Sequence, residues 1–160
     1  MKGLPRFKRG SRHSPHPFIH YRVYDIVGKS WTTWQNLKHE RFGHGCAKLG
    51  NKIIVAGGKN YAERLSSTEI IDVTTGVVKN GGPMISPRQN FQLVTLGGGL
   101  FQKILAIGGY NSWTAQTIKF DVDYDEEWND DSETWKVNPI KLQTPRHMFG
   151  AVVVPKSTVC

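Results

Sequence analysis

Three groups of residues in this 160-residue sequence have types that could do chemistry. Gly28-Lys29-Ser30 resembles the end of a phosphate loop, in which backbone N–H groups and a lysine cradle phosphates. The first glycine of that pattern would fall at Val23, and no strand-to-helix context follows. Gly97-Gly98-Gly99 lacks the third glycine of a dinucleotide fingerprint and precedes a strand. Both read as turns. Asp121, Asp123 and Asp125 occupy positions 1, 3 and 5 of a calcium loop. Its sixth position is Glu126 where the sharp turn needs glycine, and its twelfth is Ser132 rather than glutamate. Residues 121–133 therefore read as a solvated acidic loop.

Metal and nucleophile chemistry fare no better. His39, His44 and Cys46 are close in sequence but have no fourth ligand nearby, so they read as packed or hydrogen-bonded positions rather than a zinc site. His13, His16 and His20 lie in a stretch rich in Pro and Arg, where nothing pre-organises ligands. There is no Gly-x-Ser-x-Gly elbow and no carboxylate pair on a rigid face. The expectation is a non-catalytic chain with no cofactor and no metal.

Charge and composition set the wider frame. Lys and Arg number 21 against 13 Asp and Glu, for a net charge of +8. Six of the bases and none of the acids fall in residues 1–22, while eight acids fall in 121–133. The basic end offers Phe7 and Phe18 beside its Lys and Arg but no nucleic-acid motif, so no specific nucleic-acid binding is expected. Apolar runs reach about five residues, far from the ~20 of a membrane helix. Two cysteines, Cys46 and Cys160, make no disulfide framework, and there is no Asn-x-Ser/Thr sequon. A reducing, cytoplasmic setting is expected, or an extracellular one if the chain is a fragment of a secreted protein.

The elements that would carry these residues are repeated. Ile53-Ile54-Val55-Ala56-Gly57-Gly58 returns as Ile104-Leu105-Ala106-Ile107-Gly108-Gly109. Arg41, Arg88 and Arg146 begin successive units of 47 and 58 residues. Glu69-Ile70-Ile71-Asp72 is matched with Ile118-Lys119-Phe120-Asp121, and Val77 with Trp135. Val23-Tyr24-Asp25 and Trp31 look like the tail of an earlier unit. Period-2 patterning predicts strands at Cys46–Leu49, Lys52–Val55, Thr68–Val73 and Val77–Lys79. It predicts them again at Phe91–Leu96, Lys103–Ile107, Thr117–Val122 and Thr134–Val137. The unbroken apolar run from Ile53 to Ala56 predicts a strand buried on both faces. No amphipathic helix is predicted.

A four-stranded unit of about 50 residues with a strand-ending Gly pair has the kelch period. The order Arg41, Gly43-His44-Gly45, Ile53–Gly58, Glu69–Asp72 and Pro87-Arg88 resembles a kelch repeat. So does Pro87-Arg88, Ile104–Gly109, Phe120-Asp121, Trp135 and Pro145-Arg146. The resemblance covers about residues 21–155. It implies an all-β, kelch-type β-propeller segment of about three four-stranded antiparallel blades in an incomplete ring. Residues 1–20 are then a basic tail. Residues 21–37 are a half blade, 41–80 a blade and 88–139 a blade with the acidic insertion 121–133. Residues 146–155 start a further blade, and 156–160 end the chain. Arg41, Gly57, Gly58, Arg88, Gly108, Gly109, Trp135 and Arg146 are the structural repeat positions.

The resemblance also implies a binding face. In kelch propellers the loops between second and third strands, and those between blades, crowd onto one side. Here they carry Lys59, Asn60, Tyr61, Arg64, Tyr110, Asn111, Ser112 and Trp113, with Phe42, Gln89 and His147. A partner protein is expected there, in an adaptor-like role. Substrate capture for cullin-type ubiquitin ligases needs a BTB domain, which this chain lacks. The alternatives are a secreted kelch recognition module or a galactose-oxidase-like enzyme domain fragment, whose copper ligands cannot be assembled here. Unpaired blade faces and an edge strand at Phe149–Val154, with its Val152-Val153-Val154 run, imply self-association. Circular dichroism of the chain should show β-structure and almost no helix; a helical content near the globular average of about a third would overturn the repeat reading.

Overall fold

The computed structural model describes residues 18–97, 102–111 and 124–154. Ten strands run through them: β1 (Phe18–Asp25), β2 (Ser30–Arg41), β3 (Gly45–Leu49), β4 (Lys52–Ala56), β5 (Thr68–Asp72), β6 (Val78–Gly81), β7 (Gln92–Leu96), β8 (Lys103–Ile107), β9 (Tyr124–Asn129) and β10 (Thr134–Lys141). Strands β1 and β2 pair as an antiparallel ribbon. The order β3-β4-β5-β6 makes one antiparallel meander and β7-β8-β9-β10 a second. Among the described residues there is no helix. The architecture is all-β as expected, with two four-stranded antiparallel sheets, the two blades, preceded by a two-stranded ribbon.

Alternation of side chains explains how the three layers stack. One face of the first blade presents Ile53, Val55 and Ile71 to Tyr21 and Leu37 of the ribbon. Its other face presents Leu49, Ile54, Ala56 and Ile70 to Leu93, Ile104, Ala106 and Trp128 of the second blade. The run from Ile53 to Ala56 is thus buried on both faces, as its pattern predicts. Each such aliphatic side chain contributes about 1.5–3 kcal/mol by leaving water.

Strand turns repeat as well. Asp25, Asp72 and Asn129 end equivalent strands, and each side-chain Oδ1 accepts a hydrogen bond from a backbone N–H two or three residues on. Four residues after each, Lys29, Gly76 and Glu133 take positive φ of 48°, 76° and 50°. The sequence matches Asp121 with Asp72; the structure puts Asn129 there.

That correction extends to the whole third strand of the second blade. The expected strand Thr117–Val122 falls within residues 112–123, which lie outside the described residues. The strand beside β8 is Tyr124–Asn129, with Ile104 opposite Trp128 and Ala106 opposite Glu126. In the first blade Ile53 faces Ile71 and Val55 faces Glu69. Trp128 therefore stands at the Ile71 position and Glu126 at that of Glu69. The high acid content of 121–133 suggested a loop, yet Glu126 and Trp128 are buried and force a strand there. Register also moves the Trp135 counterpart by one residue. Trp135 pairs with Trp128 as Val78 pairs with Ile71, so Val78 is the match, and Val77 is exposed. A one-residue slip sends a strand side chain to the opposite face.

Two further expectations change. β1 begins at Phe18, within the stretch assigned to the tail. Phe149–Val154 forms no strand. Its start is instead held at the second blade: Gln92 Nε2 donates to Phe149 O at 2.6 Å, and the Phe149 ring lies against Gly108.

Two of the repeat arginines, Arg41 and Arg88, each close a buried clamp. Arg41 donates through Nη1 to Gly57 O and through Nη2 to Glu69 Oε1, at 2.7 and 2.8 Å. Glu69 also accepts from Lys38 N and His39 N on β2. Arg88 repeats this on Gly108 O and Glu126, and Glu126 accepts from Ile85 N and Ser86 N. All four side chains are fully buried. Arg146 departs from the pattern. It is exposed, and its Nε donates to Thr144 O at 3.2 Å.

The Gly pairs join one unit to the next. Gly58 N donates to Arg88 O, and Gly109 N to Arg146 O. Gly57 and Gly108 take φ of 60° and 63°, and a Cβ on either would meet that arginine carbonyl within 2.7 Å and the ring of Phe91 or Phe149 within 2.9 Å. Only glycine satisfies both the conformation and the space. His44 occupies in the first unit the place of Phe91 in the second. Burial, and then the positive charge of Arg41, push its imidazole down to about 4.

Removing one member of a buried ion pair costs about 3–5 kcal/mol, and for a chain of this size each kcal/mol moves Tm by about 2–4 °C. Arg88→Ala and Glu126→Ala should each lower Tm by about 6 °C or more, whereas Arg146→Ala should change it by less than about 2 °C. Equal losses in all three would contradict the clamp. For His44 the folded form stays neutral while the unfolded form gains a proton below about 6.5. Stability is therefore full above that pH and falls as pH drops toward 4, by the order of 3 kcal/mol. His44→Phe, which installs the residue of the next unit, should flatten the melting profile between pH 6.5 and 4.5.

Candidate binding surface

The residues expected to bind a partner follow the Gly pairs and the repeat arginines, so the clamp geometry positions them. Phe42, directly after Arg41, exchanges both backbone hydrogen bonds with Lys59, directly after Gly58. Gln89 and Tyr110 do the same one unit later. Lys59 also bridges to Arg64, closing the loop between β4 and β5. The two short ladders place Phe42, Lys59, Arg64, Gln89 and Tyr110 at one end of the two blades.

Across the seam the side chains stack. The Arg64 guanidinium lies 4.4 Å from the centroid of the Tyr110 ring. Tyr110 in turn meets His147 at 5.6 Å between centroids, tilted by 47°. A cation over a tyrosine face is worth about 0.5–2 kcal/mol and fixes the planar group in orientation. Arg64 Nε and Gln89 Oε1 are buried and have no hydrogen-bond partner among the described residues. A buried polar atom without a partner costs about 1–3 kcal/mol.

The remaining expected residues divide. Tyr61 is 63% exposed and Phe42 39%. Asn111 is half-buried. Asn60 serves its own loop, since its Oδ1 accepts from Ala62 N and Glu63 N. Ser112 and Trp113 lie outside the described residues. Lys59, Arg64 and Arg146 make this end basic, with Glu63 in the same loop as Lys59 and Arg64.

The opposite end has a different character. A polar cleft of about 480 Å³ runs between the blades there, lined by Asn51, Lys52, Gln102, Trp128 and Asp130 among others. Lys52 pairs with Asp130 at 2.8 Å and Lys79 with Glu133. The acidic turn between β9 and β10 thus ties the second blade to lysines of the first. On the outer face of the second blade, Glu127 sits between Lys103 and Lys136 at 3.1 and 3.3 Å. Burial raises its carboxyl, but hydrogen bonds from the two lysines outweigh this and hold it below the usual range. Burial pushes the Cys46 thiol up to about 12, which keeps it protonated near neutral pH.

Sequence reasoning missed Glu69 and Glu126 as clamp members and missed the Arg64–Tyr110 stack. The signal for the first was available: each glutamate lies two residues before the large apolar residue facing Ile53 or Ile104. The second depends on a contact between loops 46 residues apart, which no local pattern encodes.

Residues 40–85 match the Kelch motif family model. A 75-residue stretch is 35% identical to the influenza virus NS1A-binding protein homolog of Xenopus laevis and 36% identical over the same length to that of Mus musculus. Each match covers 47% of this chain and 11% of the relative, so the chain spans about a tenth of the length of these proteins. Arg41, the Gly57-Gly58 pair and the buried Glu69 all fall inside the matched segment, and Arg88, Gly108-Gly109 and Glu126 repeat them. Residues 40–85 thus carry a kelch motif, and the residues from Arg88 onward repeat its landmarks.

Proposed function

We propose that the chain is a non-catalytic, adaptor-like binding module that engages a partner protein through the end formed by Phe42, Lys59, Arg64, Gln89, Tyr110 and His147. The observation that carries this reading is the stack of Arg64 on Tyr110 and Tyr110 on His147, drawn from three separate loops. It presents rigid aromatic and guanidinium surface beside two buried polar atoms that lack partners. Tyr and Arg are among the residues on which interface energy concentrates. The kelch motif supports the same reading, because its loops are the part free to vary over a fixed scaffold.

The charge of this end selects the partner. Lys59, Arg64 and Arg146 favour an extended segment carrying carboxylates, which would take the free donors of Arg64 and lie along the tyrosine.

Random dodecapeptides displayed on phage and selected on the wild-type chain should enrich acidic sequences. Truncating an interface hot spot costs about 2 kcal/mol or more, roughly 30-fold in Kd. Tyr110→Ala and Arg64→Ala should each weaken a selected peptide by about that factor, while Tm falls by only the few °C that loss of their mutual stack implies. Peptides that bind both variants as tightly as wild type would place the site elsewhere.

A further inference from the structure

The sequence holds three Ser/Thr-Pro steps, Ser14-Pro15, Ser86-Pro87 and Thr144-Pro145, and the last two precede repeat arginines. They occupy the same place in successive units, two residues before Arg88 and Arg146. The structure treats them differently. Ser86 is half-buried inside a closed clamp: its N–H donates to Glu126 Oε1, and Arg88 Nη2 lies 3.5 Å from its Oγ. Gln143, Thr144, Pro145 and Arg146 are all exposed. The chain from Leu142 onward has no strand or helix among the described residues. Its anchors begin downstream of the threonine, with Gly109 N on Arg146 O, Met148 N on Asn90 O and Gln92 Nε2 on Phe149 O.

We propose that Thr144 is a phosphorylation site for proline-directed serine/threonine kinases, and that its phosphate takes at Arg146 the place that Glu69 and Glu126 hold at Arg41 and Arg88. Proline after the acceptor has no N–H to satisfy, so an exposed Thr-Pro step can enter a kinase cleft shaped for it. Thr144 Oγ1 attacks the γ-phosphorus of a nucleoside triphosphate. The new O–P bond forms as the bond to the nucleoside diphosphate breaks, and the hydroxyl proton passes to the base of the kinase. The product gains about 1.5–2 negative charges and three acceptor oxygens. Arg146 Nε donates to Thr144 O at 3.2 Å, so its guanidinium already lies beside the acceptor residue. Arg146 is the repeat arginine with an exposed side chain, and a phosphate suits its fork of donors.

The test uses the whole chain carrying Ser14→Ala, a proline-directed kinase and ATP, with site occupancy read by mass spectrometry. Peptides 80–92 and 138–150 serve as unfolded references. Thr144 in the folded chain should be modified at about the rate of its peptide, and Ser86 at least about tenfold more slowly than its own, because reaching it requires local opening. Thr144→Ala should abolish the fast phase. Failure to modify peptide 138–150, or modification of Thr144 no faster than Ser86, would overturn the site. A ³¹P titration then reads the pairing. The second phosphate ionisation, near pH 6 in a free phosphothreonine, should lie lower in the wild-type chain than in Arg146→Ala. An identical midpoint in the two would overturn the Arg146 assignment.

Discussion

Two buried ion pairs, Arg41–Glu69 and Arg88–Glu126, hold the rest of the structure in register. Each joins three pieces of chain that are distant in sequence: the linker entering a blade, the end of its second strand and the start of its third. Charges taken out of water are costly, and attraction alone repays that only with good geometry and further hydrogen bonds. Both conditions are met here. The glutamate accepts from two consecutive backbone N–H groups as well as from arginine, and the arginine caps the carbonyl of the first glycine. A misregistered strand would leave a naked charge in the core, so the pair penalises wrong arrangements more than it rewards the right one.

From that constraint the layering follows. With the third strand fixed, alternate residues of the second strand face opposite neighbours, and two apolar clusters form without mixing. With the arginine backbone fixed, its carbonyl reaches the Gly pair of the preceding unit, and a phenylalanine three residues on covers that glycine. The left-handed residue between them is Gly43, Asn90 and Met148 in turn, with φ of 64°, 55° and 55°. Identity at that position drifts, while its conformation does not.

Much of this was legible in the residues. The Gly pairs, the arginines and the unbroken apolar strands announce themselves because each is demanded by a local rule of φ, charge or burial. The third strand of the second blade was not. Its sequence, Tyr-Asp-Glu-Glu-Trp-Asn, is dominated by acids, and a composition rule sends acids to solvent. One of those acids is the core partner of Arg88, and another pairs with Lys103 and Lys136 on a sheet face. Matching by chemical similarity chose Asp121 as the counterpart of Asp72; matching by hydrogen-bond role would have chosen Asn129. The loop surface was visible as a set of positions. The ring and guanidinium contacts within it arise only when two blades meet.

Eleven residues separate β4 from β5 and sixteen separate β8 from β9, of which 112–123 lie outside the described residues. Both end in the same clamp, which senses only the strand that arrives and not the path it took. For a flexible connection, loop-closure entropy makes sixteen residues cost only about 0.3 kcal/mol more than eleven. The scaffold is therefore close to indifferent to what is spliced in at this point. A foreign recognition loop grafted between Asn111 and Tyr124 would keep the Gln89–Tyr110 ladder as one stem and β9 as the other, and the blade beneath it would keep its register. Diversity at this end of the molecule is nearly free of structural consequence, which is the property sought in a framework for engineered binders.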